Sequence, residues 1–317
     1  MKHQQAFTDK STKMLKGALH AHTTRSDGVD TPRESIQFHY DNGYDFMMLS
    51  DHAVYNMRED FCPDIPLTII PGAEIDAGIS DDSMPDGNRH FDALCIGPIN
   101  DSYVPPKQDQ PLSASVEYNS FEENQEYLDS LHQMGMITCI SHPQRDYTPP
   151  RYLERIKGHF AMEIYNSASD IEYDLDADAP FWDEMLYNGV RLFGIACDDD
   201  EGYYYCGHGW VMVRADNNPK AIMNALNNGE FYSSCGPEIY DFYVHGNKVV
   251  IECSPVETIY IHCAKHPNDR VFEPGKEITR GEFWIDKSYP YVRMSVVDKN
   301  GKKAWTNPIY LDNRGND

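Results

Sequence analysis

His20 and His22 stand two residues apart in Leu19-His20-Ala21-His22-Thr23. Alternate side chains of an extended segment point to one side, so both imidazoles face the same way and can grip one cation. Acids and further histidines recur downstream: Asp27 in Ser26-Asp27-Gly28, His52 in Ser50-Asp51-His52, Glu74 in Pro71-Gly72-Ala73-Glu74, His142 in Ser141-His142-Pro143, and Asp198-Asp199-Asp200. Carboxylates bridge neighbouring ions and balance their charge. Mixed imidazole and carboxylate ligation suits Zn, Mn or Fe better than Ca or Mg alone. A lone histidine is more often a hydrogen-bonded structural group, and that plainer reading fits His3, His39, His132, His159, His245, His262 and His266, none of which sits in a motif.

The elements that must position these residues follow from the apolar pattern. Strands are expected over 15–19, 46–49, 67–70, 91–96, 136–140, 160–165, 190–196 and 210–213, alternating with helix-like segments, which predicts an α/β architecture. Thr31-Pro32-Arg33-Glu34 is a capping box with proline at the first helical position, and Gly43 stops that helix. Ser120-Phe121-Glu122-Glu123 is a second capping box, and further helices are expected over 150–157, 179–188 and 218–228. Nearly every candidate ligand falls just after a strand. In a parallel barrel such strand ends share one rim, where sites are built. His90 precedes its strand instead. Beyond Gly236 the segments are β-rich with no clear helix, so the chain is expected to divide into a barrel over 1–236 and a small all-β, sandwich-like appendage over 237–317.

The balance of 27 Lys+Arg against 51 Asp+Glu gives a net charge of −24 over 317 residues. Such a surface repels polyanions and argues against an extended nucleic-acid interface. It leaves room for a small phosphorylated substrate, since bound cations reverse the sign inside a pocket. No apolar run approaches the ~20 residues of a membrane span, and the N-terminus lacks the apolar core of a signal peptide. The 8 cysteines form no Cys-x-x-Cys pair, and several lie within apolar runs. They read as buried free thiols of a cytoplasmic protein.

Taken in order, His20-Ala21-His22-Thr23, Ser26-Asp27-Gly28, Ser50-Asp51-His52, Pro71-Gly72-Ala73-Glu74, His90 and Ser141-His142-Pro143 resemble the successive motifs of the PHP (polymerase and histidinol phosphatase) superfamily over about residues 15 to 215. The stretch from Gly209-Trp210 through Phe231-Tyr232-Ser233-Ser234 to Ala304-Trp305-Thr306-Asn307-Pro308 resembles its CehA/McbA-like branch. The resemblance implies a distorted seven-stranded (β/α) barrel that holds two or three divalent ions and hydrolyses phosphate esters. It implies one ion on His20, His22, Glu74 and Asp199, and a second on Glu74, His90 and His142. A third falls to Asp27 and His52. One motif departs: where the family carries a histidine after its paired acids, here Asp198 and Asp199, this chain has Glu201. Glu201 as an oxygen ligand, His208 reaching in from Gly207-His208-Gly209, or an empty position are the alternatives.

The implied reaction is attack by a metal-bridging hydroxide on a small phosphomonoester, nucleotide or sugar phosphate. Arg145, three residues after His142, is the candidate phosphate clamp, because its planar fork matches phosphate oxygens; Arg25 has a weaker claim. Tyr203-Tyr204-Tyr205 either line a pocket or pack as an ordinary loop. Two other readings stand beside this one. The same metals would serve hydrolysis of a carboxylic or carbamate ester, and a metal-stabilised binding module would turn nothing over. Oligomeric state is left open by the sequence.

Overall fold

The computed structural model describes residues 4–7, 10–57, 62–80, 87–107, 109–112, 119–175, 178–264, 267–286 and 288–311; His3 and His266 lie outside them. Two sheets carry the site. One has five strands in the order Phe193–Cys197, Ala161–Asn166, Ile137–Ile140, Ala93–Ile96 and Gly72–Ile75. Its first two junctions are parallel and its last two antiparallel. The other sheet includes Thr68–Ile69, Phe46–Met47 and Met14–Ala18 in parallel, then Trp210–Arg214 and Phe231–Ser234 antiparallel.

Between the two sheets lies a core of Leu15, Leu19, Phe46, Met48, Leu94, Ile96, Cys139, Ile195 and Val211. The strand Ala93–Ile96 shows how the sequence sets this up: Leu94 and Ile96 enter that core, while Ala93 and Cys95 face the core on the sheet's other side. A strand buried on both faces reads as a continuous apolar run, as Ala-Leu-Cys-Ile does. Gly17 explains the close approach of the first two parallel strands. It is registered against Phe46, and a Cβ there would lie 2.0 Å from the Phe46 ring.

The ladders do not draw the expected seven-stranded (β/α) barrel. Three junctions near the site are antiparallel, and the described residues form six helices, too few to cover every crossover. Where the sheets converge, isolated parallel bridges replace ladders, at Ala21 with Asp200 and at His52 with Glu74. Both bridges fall on segments that carry candidate ligands.

The capping boxes form as expected. Thr31 caps helix Pro32–Asp41 with Glu34 returning the bond, and Ser120 with Glu123 does the same for Phe121–Gln133. The helix expected over 150–157 shortens to Pro150–Leu153, and an unforeseen one, Ser167–Tyr173, opens on an Asn166 cap. Beyond residue 236 the described elements are all strands, but they are continuous with the rest. Phe231–Ser234 pairs with Lys303–Thr306, extending the second sheet to ten strands, and Gln4–Gln5 joins Ile239–His245. No described helix is long and apolar enough to cross a membrane.

Candidate metal centre

Four ligand atoms from three separate strand ends meet in the interior. His20 Nε2 lies 3.0 Å from His22 Nε2, 3.0 Å from Glu74 Oε2 and 3.0 Å from Asp199 Oδ1. His22 Nε2 lies 3.2 Å from the same Glu74 oxygen and 3.1 Å from the same Asp199 oxygen. Ligands placed ~2.0 Å from a tetrahedral cation are separated by roughly 3.3 Å, so these contacts have the spacing of a coordination shell. The four residues are buried, none more than 2 % exposed. Two ring nitrogens facing each other beside two carboxylates need a shared positive charge.

Protons supply that charge in the chain alone. Burial disfavours the His20 imidazolium, yet Asp199, Glu74 and Glu163 outweigh it and raise its pKa well above the usual value. Against the same burial cost, Asp199 and Glu74 hold His22 at about 10. Burial would raise Asp199 and Glu74; the surrounding histidines pull both well below the ordinary carboxylate range. A divalent ion can substitute for these protons, and the donor set fits one.

The rings are aimed by partners behind them. His20 Nδ1 donates to Glu163 Oε1 at 2.6 Å, which turns Nε2 to the group, where a cation would take the place of its proton. Glu163 also accepts from the His142 backbone N–H at 2.8 Å and the Asn166 amide at 3.0 Å. Asp199 has φ +56°, in the left-handed region that Asp tolerates better than most residues. This turn sends Oδ1 to the histidines and Oδ2 to Arg145 Nη1 at 2.8 Å and Asn166 at 3.1 Å. In Ser26-Asp27-Gly28 the glycine packs on the histidine motif: a Cβ on Gly28 would meet the His22 backbone at 2.6 Å.

Two further groups flank the first. Glu74 turns its other oxygen to His142 Nε2 at 3.3 Å, and Asp92 completes a group with them. His142 Nδ1 is engaged by Asp146 at 3.1 Å. On the other flank, Asp27 lies 3.4 Å from His22 Nδ1 and 3.4 Å from His52 Nε2, while Asp76 lies 2.6 Å from His52 Nδ1. A neutral imidazole has one lone pair, so His22 serves either its own group or this one.

The sequence candidates separate in space. His20, His22, Glu74 and Asp199 come together, as do His142 with Glu74 and Asp27 with His52. His90 sits exposed on Arg89–His90 at the edge of the cleft, and the carboxylate of Asp92, not its imidazole, joins Glu74 and His142. Asp198 turns away from the group: its carboxylate accepts backbone N–H bonds from Gly207, His208 and Gly209 at 2.7, 2.9 and 2.7 Å, so it holds the following turn. Neither Glu201 nor His208 joins a metal-capable group among the described residues. Glu201 lies in the cleft 3.9 Å from Arg145, and the His208 ring does not line it. Arg25 is paired with Asp109. Tyr203 stacks on Phe38 and Tyr205 bonds Glu172, so Tyr147 and Tyr173 supply the aromatic walls instead.

Sequence reasoning missed Glu163, Asp92, Asp76 and Asp146. Glu163 had a signal, a carboxylate within the apolar run Ala161-Met162-Glu163-Ile164, where a charge must have a buried partner. The cleft above these groups holds about 330 Å³ and is lined by His52, His142, Arg145, Tyr147, Tyr173 and Glu201 among others. That is enough for a small molecule.

No family model and no curated protein matches the chain. Among solved structures it is similar to a two-domain protein from Bacteroides vulgatus ATCC 8482 containing a predicted PHP-like metal-dependent phosphoesterase, at 15% identity and TM-score 0.48, over 95% of this chain and 97% of that one. It is similar also to a provisionally assigned metal-dependent phosphoesterase from Bifidobacterium adolescentis ATCC 15703, at 14% identity and TM-score 0.36, over 59% of this chain and 87% of that one. A third likeness is an amidohydrolase from Chromobacterium violaceum with bound sulfate and no metal, at 14% identity and TM-score 0.34, over 58% of this chain and 87% of that one. Likenesses this distant assign no activity.

Proposed function

We propose that the chain is a metal-dependent hydrolase of a small phosphate ester, of the PHP type that its motifs resemble. The observation that carries the reading is the shell of His20, His22, Glu74 and Asp199 atoms at 3.0 to 3.2 Å, opening beside Arg145 on a cleft of about 330 Å³. In this reading the first group would hold one ion, and Glu74, His142 and Asp92 would hold a second. Asp27 with His52 is a third position, and Zn, Mn or Fe fits the donors. The catalytic part is residues 1–236, and 237–317 is an appended β unit. Free thiols at all eight cysteines support a cytoplasmic location.

Divalent ions held there supply Lewis acidity toward the substrate and acidify water. The chain's own residues do the rest. Glu163 and Asp146 fix the His20 and His142 rings. Arg145 binds the phosphoryl oxygens and offsets charge as it develops, with Tyr173 beneath its guanidinium at 5.6 Å. Asp199 ties the two functions together, since it reaches the histidines with one oxygen and Arg145 with the other.

One observation favours hydrolysis of a neutral carboxylic or carbamate ester. Glu74, Asp92, Asp146, Asp199 and Glu201 line the cleft with the guanidinium of Arg145 and the imidazoles of His52 and His142, so a phosphate dianion needs bound protons or ions to enter, whereas a neutral ester does not. Purified chain stripped of metal and reloaded with Zn, Mn or Fe(II) should hydrolyse p-nitrophenyl phosphate or its bis ester, and chelation should abolish it. Cleavage of p-nitrophenyl acetate alone would transfer the reading to the neutral ester, and no metal-dependent cleavage of any of the three would leave the binding module.

A further inference from the structure

A different set of buried donor groups lies outside the lining of the cleft. His39, Asp200 and Cys206 place one nitrogen, one oxygen and the sulfur within 4.8 Å of one another, and all three residues are buried. His39 comes from helix Pro32–Asp41, and the other two from the loop after strand Phe193–Cys197. The His39 Nδ1–H donates to the Ser35 carbonyl at 2.8 Å, which leaves the Nε2 lone pair free, and Nε2 has no hydrogen-bond partner although it is buried. Asp200 Oδ1 is also buried without a partner, while Oδ2 accepts from the Cys206 thiol at 2.7 Å. His39 and Asp200 are 0 % and 2 % exposed, so water does not satisfy these atoms from bulk. Orphaned acceptors in such a place are costly.

We propose that His39, Asp200 and Cys206 form a separate zinc-type site that fastens the 198–209 loop to helix Pro32–Asp41. Nitrogen, carboxylate and thiolate donors are the set that Zn²⁺ takes, with one tetrahedral position left for water. Charge balances: a carboxylate and a thiolate neutralise the dication, the imidazole stays neutral, and the thiol proton leaves to solvent on binding. The Ser35 carbonyl plays the orienting part that partners of metal-bound histidines play elsewhere. The consequence reaches the cleft through the backbone. The Asp200 carbonyl accepts the His22 N–H at 2.9 Å, and Asp199 precedes it, so a fastened loop holds two ligands of the first group in place.

The site is independent of the proposed function, and sulfur separates the two experimentally, because the His20, His22, Glu74 and Asp199 shell contains none. The test is titration of the chelator-stripped full chain with Co²⁺, read by absorption. One equivalent is expected to bind with a thiolate-to-cobalt charge-transfer band, whatever the His20, His22, Glu74 and Asp199 group takes up without one. That band should vanish in Cys206→Ser and in His39→Gln and persist in Cys197→Ser, the last because His20, Glu163 and Cys197 form the other sulfur-containing group among the described residues. Bound Co²⁺ with no such band in the unaltered chain overturns the proposal without any variant. So does a band that survives Cys206→Ser. Melting curves in chelator, matching those of the unaltered chain, certify that each variant is folded.

Discussion

Glu163 Oε1 accepts the Nδ1–H of His20 at 2.6 Å, joining the middle of strand Ala161–Asn166 to the end of strand Met14–Ala18. Neither residue is exposed to solvent. The carboxylate thus fixes the orientation of a candidate ligand without itself belonging to the four-atom shell, and its other oxygen steadies His142 through the backbone. Glu163→Gln removes the charge and keeps the size. Metal affinity should fall by roughly 10–100-fold, measured by competition with a chromophoric chelator, while the circular dichroism spectrum stays unchanged. Unchanged affinity would remove Glu163 from the centre.

Metal uptake should release protons. His22 is held at about 10 in the metal-free fold, above its ordinary 6.5, so near neutral pH an arriving cation must displace a proton from it. In the metal-free chain a raised histidine pKa gives stability that is full below about 6.5 and is lost as pH climbs through about 10. Asp199 and Glu74, both depressed, act oppositely and lose their contribution as pH falls below the carboxylate range. Weakly buffered calorimetry should therefore record protons released per ion bound at pH 7. The metal-free melting temperature should fall from pH 7 to 10. A flat profile over that window would contradict the shared-proton account.

Arg145→Lys tests the clamp. Lysine keeps the charge but loses the planar fork, and Asp199 Oδ2 loses a donor now at 2.8 Å. For a phosphate substrate kcat/KM is expected to drop by about 10- to 100-fold, the equivalent of ~1.4–2.7 kcal/mol, with little change for p-nitrophenyl acetate. Equal losses on both would make Arg145 a support for Asp199 and not a phosphate ligand.

Gly17→Ala should destabilise the fold by about 1–3 kcal/mol, the usual cost of overpacking, because the new methyl would overlap the Phe46 ring. Denaturant unfolding reads the loss. Phe46→Leu added to Gly17→Ala should recover part of it, since the two positions face each other across the ladder; strict additivity of the two losses would refute the contact.

Arg293 and Asp183 test how residues beyond 236 are joined to the rest. The buried guanidinium donates to Asp183 Oδ1 from Nε at 2.8 Å and Nη2 at 2.5 Å, linking strand Tyr291–Val297 to helix Ala179–Tyr187. Arg293→Ala leaves the buried Asp183 carboxylate with only His262, at 3.5 Å, facing it among the described ion pairs, and should cost up to about 3–5 kcal/mol by denaturant unfolding. Arg293→Met with Asp183→Leu should cost much less.

The sequence alone determined the local pieces of this protein and the first candidate ligands. Capping boxes at Thr31 and Ser120 and the apolar runs around Leu94 and Cys139 are decided by neighbours in the chain, so they were legible. His20 and His22 were legible for the same reason, because a two-residue spacing fixes their common side before any folding occurs. Tertiary structure decided what each of several adjacent acids does. Asp198, Asp199 and Asp200 have one chemistry and consecutive numbers, yet one caps a turn, one reaches the histidines, and one meets Cys206. The left-handed φ at Asp199 makes that division, and it depends on strands that are distant in the chain. Glu163 and Asp92 became visible as partners only when the sheets converged, and the antiparallel junctions came from long-range pairing that a strand's own residues do not encode.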